Sequence, residues 1–255
     1  MLKIAISGKG GTGKTTTSAL LALVMAEQGR PVIAIDGDTN ANLAYALGVP
    51  EPEKIVPLIE MNALIEERTG AQKGKYGAYF QMNPRVDDIP DRFSVTVNGV
   101  KLLVMGSVTA AGGGCACPEY VLLKNLVGHM LLNRSETLIL DMEAGLEHFG
   151  RAVTTGVDVL LVIVNPDTVS LVTAGRVRTL AAGLGIKHVY AVGNRVRNDA
   201  DRDFIAGRAG MEVLGYLPHF PAIEALQREG RPPVTAESRT AIATIIKHLE
   251  EKHHG

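Results

Sequence analysis

The feature that most constrains the fold is a glycine-rich stretch near the amino terminus. Residues 8–15 read Gly-Lys-Gly-Gly-Thr-Gly-Lys-Thr, directly after the apolar run 3–7 and directly before a helical pattern that begins at Lys14. Glycines let the backbone bend so that successive N–H groups point inward around phosphate oxygens, and the following helix adds the positive end of its dipole. Strand, loop and helix in this order predict a P-loop nucleotide-binding site.

The fixed residues of this loop each have an expected partner on a nucleotide. Lys14 places its ammonium group on the β- and γ-phosphates, and the hydroxyl of Thr15 ligates Mg²⁺. The alternative is a flexible glycine-rich turn, which leaves the Lys-Thr pair at the helix start unexplained. We therefore predict an ATPase with ATP or ADP and Mg²⁺ as cofactors. The expected nucleotide contacts are Gly8, Lys9, Gly10, Gly11, Thr12, Gly13, Lys14, Thr15 and Thr16.

Beyond the loop, short β-branched runs alternate with longer helical patterns. This alternation predicts an α/β fold, a mostly parallel, doubly wound sheet with helices on both faces, in a single domain over residues 1–255. The predicted strands are 3–7, 32–36, 102–105, 138–142, 159–164, 189–193 and 212–216. The predicted helices begin at Lys14, Asn40, Pro57, Cys117, Val169, Asp199, Ala222 and Ala236, and the last carries Ile242, Ile245, Ile246 and Leu249 on one face.

Two connecting segments stand out by their composition. Residues 70–92 form a long polar insertion, and residues 109–114 form a Gly- and Ala-rich loop. Open α/β sheets bind ligands outside the carboxyl ends of their strands. We therefore expect both segments near the carboxyl edge of the sheet.

Charge and hydropathy argue against some classes of partner. The formal net charge is −1, and no long basic run occurs, so no nucleic acid and no membrane is expected as a standing partner. Residues 1–7 form a short apolar strand without a signal-peptide pattern, and the longest apolar stretch, 157–164, contains Asp158 and is too short to span a bilayer. The expected location is cytoplasmic.

Acidic residues follow two of the predicted strands. Asp36-Gly37-Asp38 ends the second strand, and the apolar run 138–140 ends in an acidic segment that begins at Asp141. Carboxylates at the carboxyl ends of strands beside a P-loop are placed to hold Mg²⁺ and its waters. Helix capping is the alternative for any one of these aspartates.

The only cysteines, Cys115 and Cys117, lie one residue apart at the start of a predicted helix. A helix N-terminus lowers thiol pKa and so favours the metal-binding thiolate. Two thiolates do not complete a closed site, but a twofold axis between two chains gathers four. The pair therefore predicts a metal site in a homodimer, although four thiolates suit Zn²⁺ or an iron–sulfur cluster as well, and two small buried side chains remain the structural alternative.

The loop contains a further lysine, Lys9, and with it resembles the loop of a known class of ATPases. The form Gly-Lys-Gly-Gly-Thr-Gly-Lys-Thr-Thr resembles the deviant P-loop of nitrogenase iron protein, the cell-division ATPase MinD and the partition ATPases. The resemblance implies that Lys9 reaches across a homodimer to the nucleotide of the partner. It also implies that Asp38 positions the attacking water, that Asp36 supports the metal shell and that Asp141 holds a Mg²⁺-bound water.

The same class implies a site for the adenine base. Asn194 ends the strand 189–193, at the position where an asparagine of this class pairs with the adenine edge. The later segment 215–218, which ends at Pro218, packs beside the base. An isolated Asn-Arg pair is a weak signal, because asparagine at a strand end is usually a turn residue.

A more specific resemblance covers nearly the whole chain. The sequence resembles the CooC-type ATPases, which are accessory proteins of carbon monoxide dehydrogenase, and their relatives that serve acetyl-CoA synthase. The resemblance depends on residues 9–16, 36–38, 57–61, 115–117, 141–148 and 194–198. The resemblance implies an ATP-dependent chaperone that delivers Ni²⁺ to carbon monoxide dehydrogenase or acetyl-CoA synthase. Thr39 and Glu143 depart from the expected pattern, which has a proline and a small residue there.

Two other functions are compatible with this fold. A positioning or partition ATPase predicts a basic amphipathic helix or a basic surface stripe, whereas the carboxyl-terminal segment 240–252 mixes Glu250 and Glu251 with Lys247 and Lys252. An iron–sulfur carrier like nitrogenase iron protein takes its cluster cysteines from well-separated positions, and this chain has only the one pair. The metallochaperone hypothesis agrees best with the sequence.

Overall fold

A mixed sheet of eight strands organises the computed structural model, which describes residues 1–37, 42–71, 79–106, 117–142 and 156–254. The strands are β1 Lys3–Gly8, β2 Val32–Asp36, β3 Val95–Val97, β4 Val100–Val104, β5 Thr137–Asp141, β6 Val159–Val164, β7 His188–Val196 and β8 Val213–Pro218. Their order is β3-β4-β2-β5-β1-β6-β7-β8, with β3 antiparallel to β4 and the other neighbours parallel. The predicted doubly wound class is confirmed.

Helices cover both faces of this sheet. In the described ranges they are α1 Lys14–Glu27, α2 Asn42–Leu47, α3 Asn62–Thr69, α4 Ile89–Phe93, α5 Pro118–Asn133, α6 Thr168–Leu184, α7 Asp199–Ala206, α8 Pro221–Arg228 and α9 Ala236–His254. None of these helices combines the length and the apolar character that crossing a bilayer requires.

The central strands are buried on both sides, which explains why their sequences are apolar without alternation. In β1, Ile4 and Ile6 pack into one hydrophobic cluster with α1 and α9, whereas Ala5 packs into the opposite cluster with α3, α5 and α6. The predicted apolar face of the last helix is confirmed, because its isoleucines and Leu249 are almost fully buried in the first of these clusters.

One helix boundary differs from the sequence prediction. The helix expected from Pro57 is instead a single 3₁₀ turn, Leu58–Glu60, and α3 begins only at Asn62. Met61, between them, has ψ of 71°, which interrupts the helical path. The start expected at Asn40 lies outside the described residues, and α2 is described from Asn42.

The outer edge of the sheet was not predicted. The three-residue strand β3 and β4 form a hairpin through Asn98 and Gly99, whose φ angles are 49° and 78°. An Asn-Gly pair with both residues at positive φ is the preferred two-residue hairpin turn. That dipeptide was the available signal for the missed strand.

The polar insertion also departs from expectation, because its described part does not gather at the carboxyl edge. The carbonyl of Met82 accepts a hydrogen bond from Asn125 of α5, at 3.0 Å. Asp91 pairs with Arg134, the residue that directly follows α5 and precedes β5. The segment therefore runs along α5 towards the amino edge. Residues 109–114 lie outside the described residues.

Candidate functional site

Two glycines shape the loop that joins β1 to α1. Gly8 has φ of 145°, and a Cβ there would lie 2.5 Å from the carbonyl oxygen of Ile163 on β6. Gly13 precedes the first residue of α1 with φ of 94°, and a Cβ there would lie 2.3 Å from Nδ2 of Asn194. Only glycine adopts these angles at no steric cost and leaves room for such approaches. The loop geometry thus depends on contacts with β6 and β7.

Within the loop, the carbonyl of Lys9 is a shared acceptor. The backbone N–H and the hydroxyl of Thr12 donate to it at 3.2 and 2.8 Å, and the ammonium nitrogen of Lys14 lies 3.5 Å away. The side chain of Lys9 is exposed. Among the described residues, neither lysine has a carboxylate within salt-bridge distance. Both ammonium groups are therefore available to an anion at the helix N-terminus.

The two described aspartates of the acidic segments stand side by side. Asp36 of β2 and Asp141 of β5 are register partners and are 0% and 2% exposed. Oδ2 of Asp36 accepts the backbone N–H of Leu43 at 2.9 Å, so one carboxylate oxygen anchors the start of α2. This contact is of the helix-capping kind that the sequence left open as the alternative.

The segments that follow these aspartates are joined where they leave the sheet. The N–H of Gly37 donates to the carbonyl of Asp141 at 2.9 Å, and a Cβ on Gly37 would lie 2.7 Å from the sulfur of Met142. This contact lies where the chain leaves β2 and β5. Asp38 lies just beyond it, outside the described residues.

A cavity of about 510 Å³ opens above the loop. Its lining includes Gly10, Gly11, Lys14, Thr15 and Asp141. A hydroxyl and a carboxylate are hard oxygen donors of the kind that Mg²⁺ takes beside phosphates, so this donor set suits that ion. Asp36 is fully buried and does not line the cavity. Its support of the metal shell stays a prediction.

A second, smaller cavity of about 60 Å³ adjoins the first on the side of β7 and β8. Asn194 and Pro218 both line it, together with apolar side chains that include Leu217 and Ile223. Nδ2 of Asn194 donates to the carbonyl of Thr12 at 2.7 Å, which ties β7 to the loop. Apolar walls with a few fixed polar groups are typical of small-molecule sites. The structure thus brings together the two residues expected beside a base.

Four residues line both cavities: Gly13, Thr16, Arg195 and Gln227. The last two had no role in the sequence prediction. Arg195 has φ of 56°, at a register shift in the β7–β8 pairing. Such irregularities re-aim a side chain next to functional sites. Its position directly after Asn194 was the only local signal, and Gln227 had none.

The described cysteine opens α5. Cys117 is half-buried, stands immediately before Pro118 and accepts the backbone N–H of Val121 on its carbonyl at 3.0 Å. Burial and, less strongly, the nearby charge of Cys117 raise the pKa of Tyr120. Cys115 lies outside the described residues. Within the described ranges, no group of three or more His, Cys, Asp or Glu side chains is arranged to hold a metal ion.

Comparison with known proteins adds a family and several relatives. The profile of the CobQ/CobB/MinD/ParA nucleotide binding domain matches residues 3–234. The carbon monoxide dehydrogenase accessory protein CooC of Rhodospirillum rubrum is 44% identical over 232 residues, which cover 90% of this chain and 88% of that protein. An uncharacterized ATP-binding protein of Methanocaldococcus jannaschii is 44% identical over 243 residues, covering 94% and 93% of the two chains.

Solved structures show the same fold at lower identity. The MinC:MinD cell division protein complex of Aquifex aeolicus contains a chain with a TM-score of 0.72 and 21% identity, covering 98% of this chain and 96% of that one. MinD of Pyrococcus horikoshii, complexed with Mg-ADP, has a TM-score of 0.68 and 21% identity, covering 99% and 97%.

Proposed function

Since this chain belongs to the CobQ/CobB/MinD/ParA nucleotide-binding family and is an ATPase, we propose that it is a metallochaperone that uses ATP to deliver Ni²⁺. The proposed receiving enzyme is carbon monoxide dehydrogenase or acetyl-CoA synthase, and the proposed setting is the cytoplasm. The observation that carries the proposal is the position of Cys117. A half-buried thiol stands at the N-terminus of α5, on the chain segment that leaves the carboxyl edge of the sheet, in a relative of CooC at 44% identity.

The nucleotide half of the proposal assigns roles to residues of the two cavities. Lys14 and the N-terminus of α1 neutralise the β- and γ-phosphates. Thr15 would ligate Mg²⁺, and Asp141 would hold a water bound to that ion. When bound, this ion neutralises charge that develops on the phosphate oxygens. Asn194 and Pro218 contact the base, and Asp38 orients the attacking water.

The metal half depends on two chains. One chain offers the thiols of Cys115 and Cys117, and a closed site for a divalent ion takes four donors. A twofold homodimer supplies four sulfurs, and the dipole of α5 favours their thiolate form. The cargo is Ni²⁺, and Zn²⁺ would compete for the same sulfurs in vitro.

Coupling between the nucleotide half and the metal half runs through the dimer that both halves require. Within the nucleotide half, Gly37 and Asp141 hydrogen-bond where the two acidic segments leave the sheet, so these two segments are linked to each other. We propose that Lys9 reaches the nucleotide of the partner chain, which makes ATP a part of the dimer contact. ATP and metal then influence each other's affinity by the same factor.

A positioning ATPase that binds a membrane or nucleic acid is less well supported. Two lysines of α9 are already engaged by carboxylates, Lys247 by Glu251 and Lys252 by Glu212. These contacts neutralise the helix that such an ATPase would use as a basic anchor. We propose no nucleic acid or membrane partner.

Metal stoichiometry tests the metal half. Protein purified without oxygen and titrated with Ni²⁺ should saturate at one metal per two chains and release protons as the thiols ionise. Cys115→Ser and Cys117→Ser should each destroy tight binding while ATP binding persists, which is the matched control. Saturation at one tightly bound metal per chain, or tight binding by the double serine variant, contradicts the shared site.

Two variants test the nucleotide half. Lys9→Ala should bind ADP but fail to form a dimer with a non-hydrolysable ATP analogue in sedimentation. Asp38→Ala should bind ATP and lose turnover. Lys54→Ala is a suitable control, because Lys54 is an exposed lysine that pairs with Glu51. A normal dimer from Lys9→Ala, or wild-type hydrolysis by Asp38→Ala, would overturn the corresponding role.

A further inference from the structure

Gln227 makes an unusual connection between distant parts of the chain. It lies in the last turn of α8, and its Nε2 donates to the hydroxyl oxygen of Thr16 in α1 at 2.9 Å, across 211 positions of sequence. Both residues line both cavities. The contact therefore spans the junction at which a nucleotide would pass from its base to its phosphates.

The hydroxyl of Thr16 differs from those of the next two residues. The hydroxyls of Thr17 and Ser18 donate to carbonyls four residues earlier, at 2.9 and 3.0 Å, so their protons are used within the helix. The equivalent acceptor for Thr16 is the carbonyl of Thr12, and among the described side chains it is Asn194, not Thr16, that donates to this carbonyl. Among the described residues, the hydrogen bond of the Thr16 hydroxyl is the one that it accepts from Gln227.

The number of protons and lone pairs on each group fixes the direction of the hydrogen bonds in this arrangement. A hydroxyl has one proton to donate and two lone pairs that accept. Because the amide of Gln227 donates to Thr16, a lone pair is used and the proton remains available. The acceptors that a nucleotide would bring into the larger cavity are phosphate oxygens, and hydrogen bonds to charged groups are stronger than those between neutral groups.

We propose that Gln227 is a positioning residue for the nucleotide phosphates: it holds the Thr16 hydroxyl so that its proton is donated to a phosphate oxygen. This inference rests on the proposed binding of ATP in the two cavities. It assigns α8 a part in recognising phosphate, although α8 follows the strand beside the expected base site. Gln227 should therefore contribute to the binding of ADP and ATP but not to that of adenosine.

The test is a set of dissociation constants for Mg·ADP measured by calorimetry. Gln227→Ala should weaken binding about tenfold, because the Thr16 hydroxyl is then no longer held in the orientation in which it donates to a charged phosphate oxygen. Gln227→Glu should weaken it about a hundredfold at pH 8, because a carboxylate takes the Thr16 proton and repels the phosphates. Relative to wild type at each pH, Gln227→Glu should recover as the pH falls towards 5.5, since a protonated carboxyl donates again.

A double-mutant cycle separates positioning from folding. In a Thr16→Val background, the hydroxyl is gone, so Gln227→Ala should change the affinity less than twofold further. Gln81→Ala is a matched control in the polar insertion, where Gln81 donates to the carbonyl of Asn83. It should bind Mg·ADP as wild type does.

The outcomes distinguish a failure of this inference from a failure of the proposed nucleotide binding on which it rests. Three results would overturn the role of Gln227. The first is a Gln227→Ala variant that binds Mg·ADP as wild type does, and the second is a Gln227→Glu variant whose affinity relative to wild type is the same at every pH. The third is a Gln227→Ala substitution that weakens binding as much in the Thr16→Val background as in wild type. If wild type and Lys14→Ala bind Mg·ADP equally, the placement of the nucleotide itself is wrong.

Discussion

The amino and carboxyl edges of the sheet use charged residues in opposite ways. At the amino edge, the ammonium group of Lys3 is buried and donates to the carbonyls of Arg134 and Glu136 at 2.6 and 2.8 Å. Arg134 in turn pairs with Asp91 and with the side chain of Glu136. Burial lowers the pKa of Lys3, so this ammonium group depends on its carbonyl partners.

At the carboxyl edge, three cations beside the loop are left without carboxylate partners. Among the described residues, Lys9, Lys14 and Arg195 have no carboxylate within salt-bridge distance, and the last two line the larger cavity. Backbone at positive φ also occurs there, at Gly8, Gly13 and Arg195. The amino edge satisfies these charges internally and stabilises the fold, whereas the three cations at the carboxyl edge remain available to a ligand.

The largest expected effect is on binding at the carboxyl edge. Lys14→Ala removes the main cation at the phosphates and should weaken ATP binding more than hundredfold, about 3 kcal/mol. The free energy of unfolding should change by less than about 0.5 kcal/mol, because the side chain pairs with no carboxylate. Calorimetry and urea unfolding measure the two quantities. A large loss of stability would break the comparison.

The reverse result is expected at the amino edge. Lys3→Met leaves the carbonyls of Arg134 and Glu136 without their donor, which should lower the free energy of unfolding by about 2 kcal/mol. The folded variant should bind ATP as wild type does. Lys101→Met is the control, because Lys101 is a more exposed lysine that pairs with Asp91 and should cost less than about 1 kcal/mol. Weaker ATP binding by folded Lys3→Met would show that the edges are not independent.

Arg195 should show binding and stability moving in opposite directions. Arg195→Gly relaxes a left-handed backbone, which should raise the free energy of unfolding by about 0.5 to 1 kcal/mol, and it removes a cavity cation, which should weaken ATP binding about tenfold. Glu51→Gly relaxes a similar backbone at φ of 53°, away from the cavities. It should leave ATP affinity unchanged. Equal affinities of the two variants would contradict the role of Arg195.

The smallest effect is the acid sensitivity of the amino edge. Hydrogen bonds from Arg134 and then Lys101 hold the pKa of Asp91 well below its usual 3.8. A lowered carboxyl pKa stabilises the fold above the unfolded value and loses that contribution as the pH falls below about 4. Because Asp91 is half exposed, the contribution should be less than about 1 kcal/mol.

Asp91→Asn tests this contribution directly. The difference in free energy of unfolding between wild type and variant should be constant from pH 5 to 7 and should shrink below about pH 4. Urea unfolding across this range measures it. A difference that grows in acid would have the wrong sign for a carboxylate stabilised in its charged form.

Local patterns carried most of the successful prediction. The phosphate loop could be predicted because its glycines and its Lys-Thr pair are contiguous, and the parallel sheet because buried strands are apolar throughout. The positions of Asp36 and Asp141 followed from the same reasoning, since parallel strands end at one edge. The Asn98-Gly99 hairpin was equally local, and it was missed although its signal was present.

The sequence by itself thus determined the fold class and the edge of the sheet at which the predicted nucleotide-binding residues lie, because both depend on residues close together in the chain. Tertiary structure alone decided that Asn194 reaches the carbonyl of Thr12 and that Gln227 reaches Thr16, across 182 and 211 positions. It also decided that the polar insertion runs along α5 to the amino edge. Such contacts depend on how helices pack over the sheet, and no local spacing encodes the partner of a side chain that distant strands and helices bring into reach.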